Sequence, residues 1–366
     1  MKLNISKTEL AAALAIVSKA TSNRPTVPIL SGILIKAYDG QIQFFSTDLE
    51  TSIKTTAAGL IEEEGSVVVP AKLFGDIIRS LPDVSVLLEM SGQLLTVKAH
   101  QSNFTLRTLP AEDFVKFPDI EGVESITLPA AELAEMTKKV SRVVGRDETR
   151  AVLTGILLQI DGGTIKMVAT DSYRLAIVEK TSENSASTQS FEALIPGKAL
   201  DDVTKMVGKN DDIEITLTTN QVRFIFGNTT YITRRIEGTY PNYQNLLPSD
   251  CALKVELSTE EVAEATKRAA LMAANSTALK MSVSVEDQAL VITAQSADQG
   301  DAEEVIMAKA EGEDREISAN PTYLLDGLSV ISDDFITLEL QEAMKPGVFR
   351  SVEDGYLYLF MPVRPS

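Results

Sequence analysis

Two residue types that carry much of protein chemistry are almost missing from this chain. Its 366 residues contain one cysteine, Cys251, and one histidine, His100. A single cysteine excludes an intrachain disulfide and fits a reducing compartment, so the expected location is cytoplasmic. One histidine without a second His or a Cys partner leaves no set for the common tetrahedral zinc sites. No Ser or Cys stands beside a base in a pattern that suggests acyl transfer. Pro196-Gly197-Lys198 lacks the preceding glycine spacing of a phosphate loop. The expectation is therefore a non-enzyme with no catalytic residues, no metal and no cofactor, with His100 a structural residue at a strand-to-loop position. Also missing is any run of about 18 apolar residues, which argues against a transmembrane helix. Residues 1–6 lack the apolar core of a signal peptide. Basic side chains are in short supply as well, 34 against 52 acidic ones, for a net charge of −18. As a sum, that balance disfavours nucleic acid, whose phosphates need a basic footprint.

What the chain does have is repetition. A helix-like segment opens at Glu9-Leu10-Ala11, again at Glu132-Leu133-Ala134, and again at Glu261-Val262-Ala263. A second opens at Pro70-Ala71-Lys72, Pro196-Gly197-Lys198 and Asn320-Pro321-Thr322. Each third closes on a strand and a proline, at Pro110, Pro241 and Pro362. The interval of about 125 residues is a domain's length, well beyond the roughly 20–50 residues of a solenoid unit. In the first third, apolar periodicity predicts helices over 7–19 and 71–80. Strands are predicted over 29–36, 41–46, 66–69, 84–90, 94–99 and 104–109. Asp39-Gly40 marks a two-residue hairpin, Asp161-Gly162-Gly163 takes its place in the second third, and 286–288 does so in the third. Interruptions near 120–123 and 248–252 divide the chain into domains 1–121, 122–249 and 250–366, and 182–190 reads as a surface loop. The fold class is α+β: three tandem copies of one unit, each with two helices and about eight strands.

Charge is distributed unevenly. Acidic residues gather at Glu62-Glu63-Glu64, Asp211-Asp212, Glu303-Glu304 and 311–314, whereas basic ones collect on the predicted helices. Lys138, Arg142 and Arg146 recur at four-residue spacing, the period of one helix face, with Lys139 beside them and Arg150 beyond. Lys198, Lys205 and Lys209 share a face of the next helix, as do Lys72 and Arg79 in the first repeat. Such stripes are ordinarily the solvated side of amphipathic helices. On one side of an acidic protein they would instead hold a polyanion by its backbone, without reading sequence.

Several motifs resemble one family. Thr170-Asp171-Ser172-Tyr173-Arg174-Leu175 is similar to the Thr-Asp-x-x-Arg-Leu signature of the bacterial DNA polymerase III beta subunit, the sliding clamp. Arg24-Pro25-Thr26-Val27-Pro28-Ile29-Leu30, Thr47-Asp48-Leu49-Glu50 and Thr108-Leu109-Pro110-Ala111-Glu112-Asp113-Phe114 resemble it too. So do Tyr240-Pro241-Asn242-Tyr243 and Met361-Pro362-Val363-Arg364, in order and at family length. The resemblance implies a DNA-clamp fold closed head-to-tail into a ring-shaped homodimer around double-stranded DNA, sliding without sequence preference. It implies a processivity factor that tethers the polymerase III alpha subunit, the clamp loader, other polymerases and repair proteins through their short linear motifs. No membrane is involved. The alternatives are a scaffold of the same fold that does not encircle DNA, and an enzyme acting on an anionic substrate through a carboxylate-held metal.

Carried over by matching positions, the resemblance assigns a peptide-binding cleft between the second and third repeats. Its members are Leu153, Thr170, Ser172, Tyr173, Arg174, Leu175, Pro241, Asn245, Leu246, Asn320, Tyr323, Met344, Pro346, Met361, Pro362, Val363 and Arg364. Aliphatic and Met side chains make an adaptable apolar pocket, and the few polar groups fix orientation. The DNA-facing lining would be Arg24, Arg146, Arg150, Lys198 and Lys205. The dimer seam would set Phe104, Leu106 and Lys72 against Leu271 and Met272, with Lys72 and Arg79 reaching toward Glu303-Glu304. The chain departs from some relatives in carrying Ser172-Tyr173 for Gly-His, Asn245 for Arg, Ala151-Val152 for paired aromatics, and Pro365-Ser366 beyond the usual terminal Arg. Residues 273–277 do not align with the family pattern.

Overall fold

The protein is described by a computed structural model covering residues 1–22, 27–120, 124–181, 190–208, 211–248, 251–273, 278–296, 300–342 and 344–364. The first repeat begins with β1 (Lys2–Ser6), α1 (Lys7–Val17), β2 (Gly32–Tyr38), β3 (Gln41–Thr47) and β4 (Thr51–Ala57). It continues with β5 (Leu60–Glu63), β6 (Gly65–Pro70), α2 (Ala71–Ser80), β7 (Ser85–Ser91), β8 (Leu94–Ala99) and β9 (Ser102–Arg107). The second holds β10 (Glu124–Pro129), α3 (Ala130–Val140), β11 (Gly155–Asp161), β12 (Thr164–Thr170) and β13 (Arg174–Thr181). After these come β14 (Phe191–Pro196), α4 (Gly197–Met206), β15 (Asp212–Leu217), β16 (Gln221–Phe226) and β17 (Thr229–Arg234). The third starts with β18 (Leu253–Ser258), α5 (Thr259–Ala270), β19 (Leu279–Ser284), β20 (Ala289–Ser296) and β21 (Gly300–Met307). It ends with β22 (Lys309–Gly312), β23 (Arg315–Ala319), α6 (Pro321–Leu328), β24 (Phe335–Leu340), β25 (Gly347–Ser351) and β26 (Tyr356–Phe360).

The repeated Glu has a local cause. Ser6 accepts a hydrogen bond from the Glu9 amide and Ser258 from the Glu261 amide, so these glutamates stand at the third helical position of a Ser-x-x-Glu helix start. The hairpin between β2 and β3 turns through Asp39 (φ 51°) and Gly40 (φ 72°), the positive pair that a tight two-residue turn demands. β2 begins at Gly32 rather than at residue 29, because Pro28–Ser31 winds into a 3-10 turn whose Pro28 lacks an amide for the ladder. The 182–190 loop and the 121–123 and 249–250 interruptions fall mainly outside the described residues.

The chain divides into two compact units, Met1–Ala131 with Asp202–Arg235, and Glu132–Asp201 with Ile236–Ser366. The first contains a five-stranded sheet, β5-β1-β7-β8-β9, and an eight-stranded sheet, β10-β15-β16-β17-β4-β3-β2-β6. The second contains a nine-stranded sheet, β14-β11-β12-β13-β26-β25-β24-β18-β22, and a four-stranded one, β21-β20-β19-β23. Continuous sheets thus join strands of neighbouring repeats: β17 pairs antiparallel with β4, and β26 with β13. The last of these joining strands is apolar throughout. β26 (Tyr-Leu-Tyr-Leu-Phe) is buried at every position, whereas the edge strand β9 buries only Leu106.

Candidate functional site

The second unit concentrates its unusual chemistry around the turn from β12 to β13. Asp171 Oδ1 accepts hydrogen bonds from the amides of Tyr173 (2.9 Å) and Arg174 (3.0 Å), and Thr170 Oγ1 donates to the Arg174 carbonyl at 2.7 Å. These bonds hold Ser172 at φ 81°, a left-handed conformation that glycine adopts without cost. Asp171 and Thr170 therefore order a turn that presents two neighbouring side chains, Tyr173 outward and Arg174 inward.

Arg174 is the anchor. Its side chain is only 10 % exposed. Nε donates to Asp171 Oδ2 at 3.0 Å, Nη1 to Asp326 Oδ2 at 2.6 Å, and Nη2 to the Arg142 carbonyl at 2.8 Å. The guanidinium lies 4.5 Å from the centre of the Tyr323 ring. Burial works against its charge, but the bonds to Asp326 and Asp171 outweigh it and raise the Arg174 pKa. Asp326 also accepts from Arg142 Nη1 at 3.3 Å, so one carboxylate bridges two arginines. Tyr323 and Asp326, three residues apart, lie on the same face of α6. That helix approaches β26 closely because position 327 is glycine: a Cβ there would lie 2.5 Å from the Tyr358 ring.

Tyr173, 60 % exposed, stacks on Tyr323 with ring centres 6.4 Å apart. Tyr358 donates its hydroxyl to the Tyr323 carbonyl at 2.7 Å, and the Met361 amide donates to the Tyr173 carbonyl at 2.9 Å. The tail after β26 is thereby stitched across the turn. Leu153, Thr170 and Leu175 are buried and form the floor. Leu175 belongs to an apolar cluster with Leu157, Val168 and Leu359, on which Val152, Tyr240 and Leu247 pack. Pro241, Asn245 and Leu246 are exposed along one border, on and beside the 3-10 turn Tyr243–Leu246.

A second recess adjoins the tail. Met344, Pro362 and Val363 line a cavity of 190 Å³ together with Ile317 and Leu340, with Glu316, Glu342 and Lys345 also lining it. Met344 is held at φ 66° and Val363 is fixed by its amide bonding to the Ser318 carbonyl at 2.7 Å. Asn320 spends its side chain capping α6, accepting from the Thr322 amide at 2.8 Å. Pro346 is half-buried and Arg364 exposed. The residues assigned to the cleft thus fall on a floor, an aromatic–arginine wall, an exposed border and a tail-lined recess, with Asn320 capping α6.

The arrangement has a counterpart in the first unit. Matching Thr47 to Thr170 places Thr51 where Arg174 stands, and Leu49 (φ 77°) where Ser172 stands. Lys19 bonds Asp202 at 3.3 Å, as Arg142 bonds Asp326. Thr51 brings no guanidinium and Glu50 replaces Tyr173. The stacked wall has no copy at this place in the first unit.

The basic stripe reads differently in the structure. α3 ends at Val140, so Arg142 falls in the 3-10 turn Ser141–Val143, Arg146 follows it in a nonhelical segment, and Arg150 sits in Glu148–Thr154 with nonhelical φ/ψ. Four-residue spacing did not place these on one helix. Lys139 is no surface base: it is 2 % exposed and bonds Asp354 at 2.8 Å and Glu135 at 3.0 Å. Arg142 serves Asp326, and the Arg150 guanidinium donates to Ser172 Oγ. Arg146 is exposed, as are Lys198 and Lys205 on α4, whereas Arg24 and Lys209 lie outside the described residues. His100 is exposed in the β8–β9 turn at φ 50°.

At the proposed seam positions, Lys72 is exposed on α2 and Leu271, 73 % exposed, follows α5. Phe104 is half-exposed and Met272 half-buried, whereas Leu106 is already buried in its own sheet. Arg79 bonds Asp76, and Glu304 is taken by a two-pronged contact from Arg268 at 2.9 and 2.6 Å. Sequence reasoning missed Asp326. The available signal was its three-residue spacing from Tyr323 and the need of a buried arginine for carboxylates.

Family models for the DNA polymerase III beta subunit match most of the chain: the N-terminal domain over residues 1–118, the central domain over 127–242, and the C-terminal domain over 244–364. The beta sliding clamp of Streptomyces coelicolor is 34 % identical over 378 residues, covering 100 % of each chain. The crystal structure of the Bacillus subtilis DNA polymerase sliding clamp superposes with a TM-score of 0.94 at 31 % identity, covering 100 % of both chains. That of a Pseudomonas aeruginosa sliding clamp bound to griselimycin does so with a TM-score of 0.92 at 28 % identity, covering 100 % of this chain and 99 % of that one.

Proposed function

The chain belongs to the family of bacterial DNA polymerase III beta subunits, the sliding clamps, and from that premise we propose how its own residues perform the work. The family is non-catalytic: its members are processivity factors of DNA replication. In this reading three domains, 1–121, 122–249 and 250–366, form each protomer, and two protomers close head-to-tail around duplex DNA in the cytoplasm.

One observation carries the ring. Both joints between repeats use the same pairing, the last strand of one repeat against the fourth strand of the repeat before it: β17 on β4, and β26 on β13. The corresponding last strand of the first repeat is β9, and the corresponding strand of the third is β21. Each is the edge of its sheet. A free edge of backbone donors and acceptors invites pairing, and a head-to-tail contact with the right rotation closes into a ring. Two chains would supply six such joints. Exposed Val305 and Met307 on β21 and Leu271 beside it, against Phe104 of the partner, would give the seam its apolar contact.

The wall of Tyr173, Arg174 and Tyr323 with the Met344–Val363 recess is the binding cleft in this proposal. It receives short linear motifs from the polymerase, the clamp loader and repair proteins, and it takes griselimycin. Arg146, Arg150, Lys198 and Lys205 are the residues proposed to meet the phosphate backbone. Their contacts are few and salt-sensitive, so the ring slides while topology keeps it on the duplex. Tethering raises the polymerase's effective concentration at the primer end.

The test is retention on circular against linear DNA after loading by the matching clamp loader at moderate salt. Persistence on circles with loss from linear ends is expected. Equal loss from both would refute encirclement and leave a scaffold of the same fold.

A further inference from the structure

We propose that the third repeat carries a second docking groove, at the end of β24 and β25 opposite the 341–346 hairpin, for a linear peptide segment in which an apolar side chain is flanked by lysine or arginine. The groove has a volume of 290 Å³. Phe335, 61 % exposed, and Val352, 79 % exposed, stand on it. Glu256, Asp333, Asp334 and Glu353 line the same space. Its one basic member, Arg350, is committed to Glu339 through two bonds of 3.0 and 3.1 Å.

The other two repeats serve as internal controls on what the fold requires. Phe335 is the first residue of its strand, paired with Ser258. The equivalent pairs are Ser6 with Ser85 and Pro129 with Asp212, so the same place is filled by exposed Ser85 and Asp212. Val352 follows the last residue of β25. The residues after β8 and β16 are His100 and Gly227. Neither apolar side chain is demanded by strand or turn, and each leaves most of its surface in water, which costs free energy without a partner.

The turn bearing Val352 is also fixed in place. Asp333 Oδ2 accepts from Ser351 Oγ at 2.5 Å and from the amides of Glu353 (3.1 Å) and Asp354 (3.3 Å). Asp354 in turn accepts from the Ser332 amide and from buried Lys139, both at 2.8 Å. A rigid apolar pair needs little ordering on binding. The charge selects the occupant: carboxylates repel nucleic acid and anionic lipid, and they attract a cationic peptide whose apolar residue seats between Phe335 and Val352.

The probe is a fluorescein-labelled nine-residue peptide alternating lysine with leucine and phenylalanine, compared with an oligolysine of equal length by fluorescence anisotropy on the full-length protein. The native chain is expected to bind the mixed peptide about tenfold more tightly than oligolysine, the worth of one well-seated apolar side chain. Phe335→Ser with Val352→Gln leaves the net charge unchanged and should erase that preference while griselimycin binding stays intact. Glu353→Gln, which keeps the apolar pair, should weaken both peptides. Equal binding of the mixed peptide by the native chain and the double variant would overturn the proposal. So would a species larger than the dimer in sedimentation that the double variant abolishes, since the occupant would then be another copy of the chain.

Discussion

Leu271 offers the most quantitative test of ring closure. It lies beside the proposed seam, just after α5 and 73 % exposed in the single chain. Leucine to alanine removes three carbons, worth about 2.4 kcal/mol when fully buried at about 0.8 kcal/mol per CH₂. Scaling by the surface still open gives about 1.8 kcal/mol for each seam. A two-chain ring has two seams, and full dissociation opens both, so Leu271→Ala should cost about 3.5 kcal/mol of dimer stability. That is a rise in dimer Kd of about 300-fold. Sedimentation velocity across a dilution series, micromolar to nanomolar, reads the midpoint directly. Adding Met272→Ala, whose side chain is half-buried, should leave monomers throughout. A midpoint for Leu271→Ala within about threefold of the native value would refute the assignment, because a residue so open cannot enter an interface without contributing to it.

Three other perturbations test the cleft and its support. Arg174→Lys keeps the charge but cannot serve Asp171, Asp326 and the Arg142 carbonyl together, so unfolding free energy in urea should fall by about 2 kcal/mol; an unchanged midpoint would show that the fork is dispensable. Gly327→Ala drives a methyl to 2.5 Å from the Tyr358 ring. It should cost about 1–3 kcal/mol by overpacking and, by displacing Tyr323, weaken in calorimetry the griselimycin binding proposed for the cleft. Asp354 provides the pH test. Burial tends to raise its carboxyl pKa, but Lys139 and Ser332 prevail and hold it down at about 2, from 3.8. A depressed carboxyl stabilises the fold above the unfolded value, so about 2 kcal/mol is present above pH 4 and lost as pH falls toward 2. Asp354→Asn leaves Lys139 with Glu135 as its one carboxylate partner and should cost about 3 kcal/mol at pH 7. The gap from the native protein should narrow steadily in urea melts taken from pH 5 to pH 2.5, and a constant gap would exclude the carboxylate as its source.

Much of this molecule could be read from local rules. The helix starts at Glu9 and Glu261 follow from a serine three residues earlier, and the Asp39-Gly40 hairpin follows from two residues that tolerate positive φ. α2 occupies the 71–80 segment that its periodicity predicts. The reading failed where spacing was asked to stand for geometry. Lys138, Arg142 and Arg146 keep a helical interval, yet the helix stops at Val140 and the arginines turn to other tasks. Nothing in the order Lys138-Lys139 tells which lysine is solvated. Asp354, some two hundred positions away, decides it.

The sequence by itself determined the threefold repeat, the α+β class and the family, because these rest on periodicity, turn residues and motif order, all of which are local in the chain. Motifs at Thr170–Leu175 and Met361–Arg364 also pointed to the cleft proposed here. The tertiary structure alone decided that sheets run across repeat boundaries, that Asp326 joins two arginines, and that β9 and β21 remain as matching open edges. Those outcomes depend on which strands pair and which charges meet across long separations. Pairing is a property of backbone surfaces brought together by folding, which no local stretch of residues encodes.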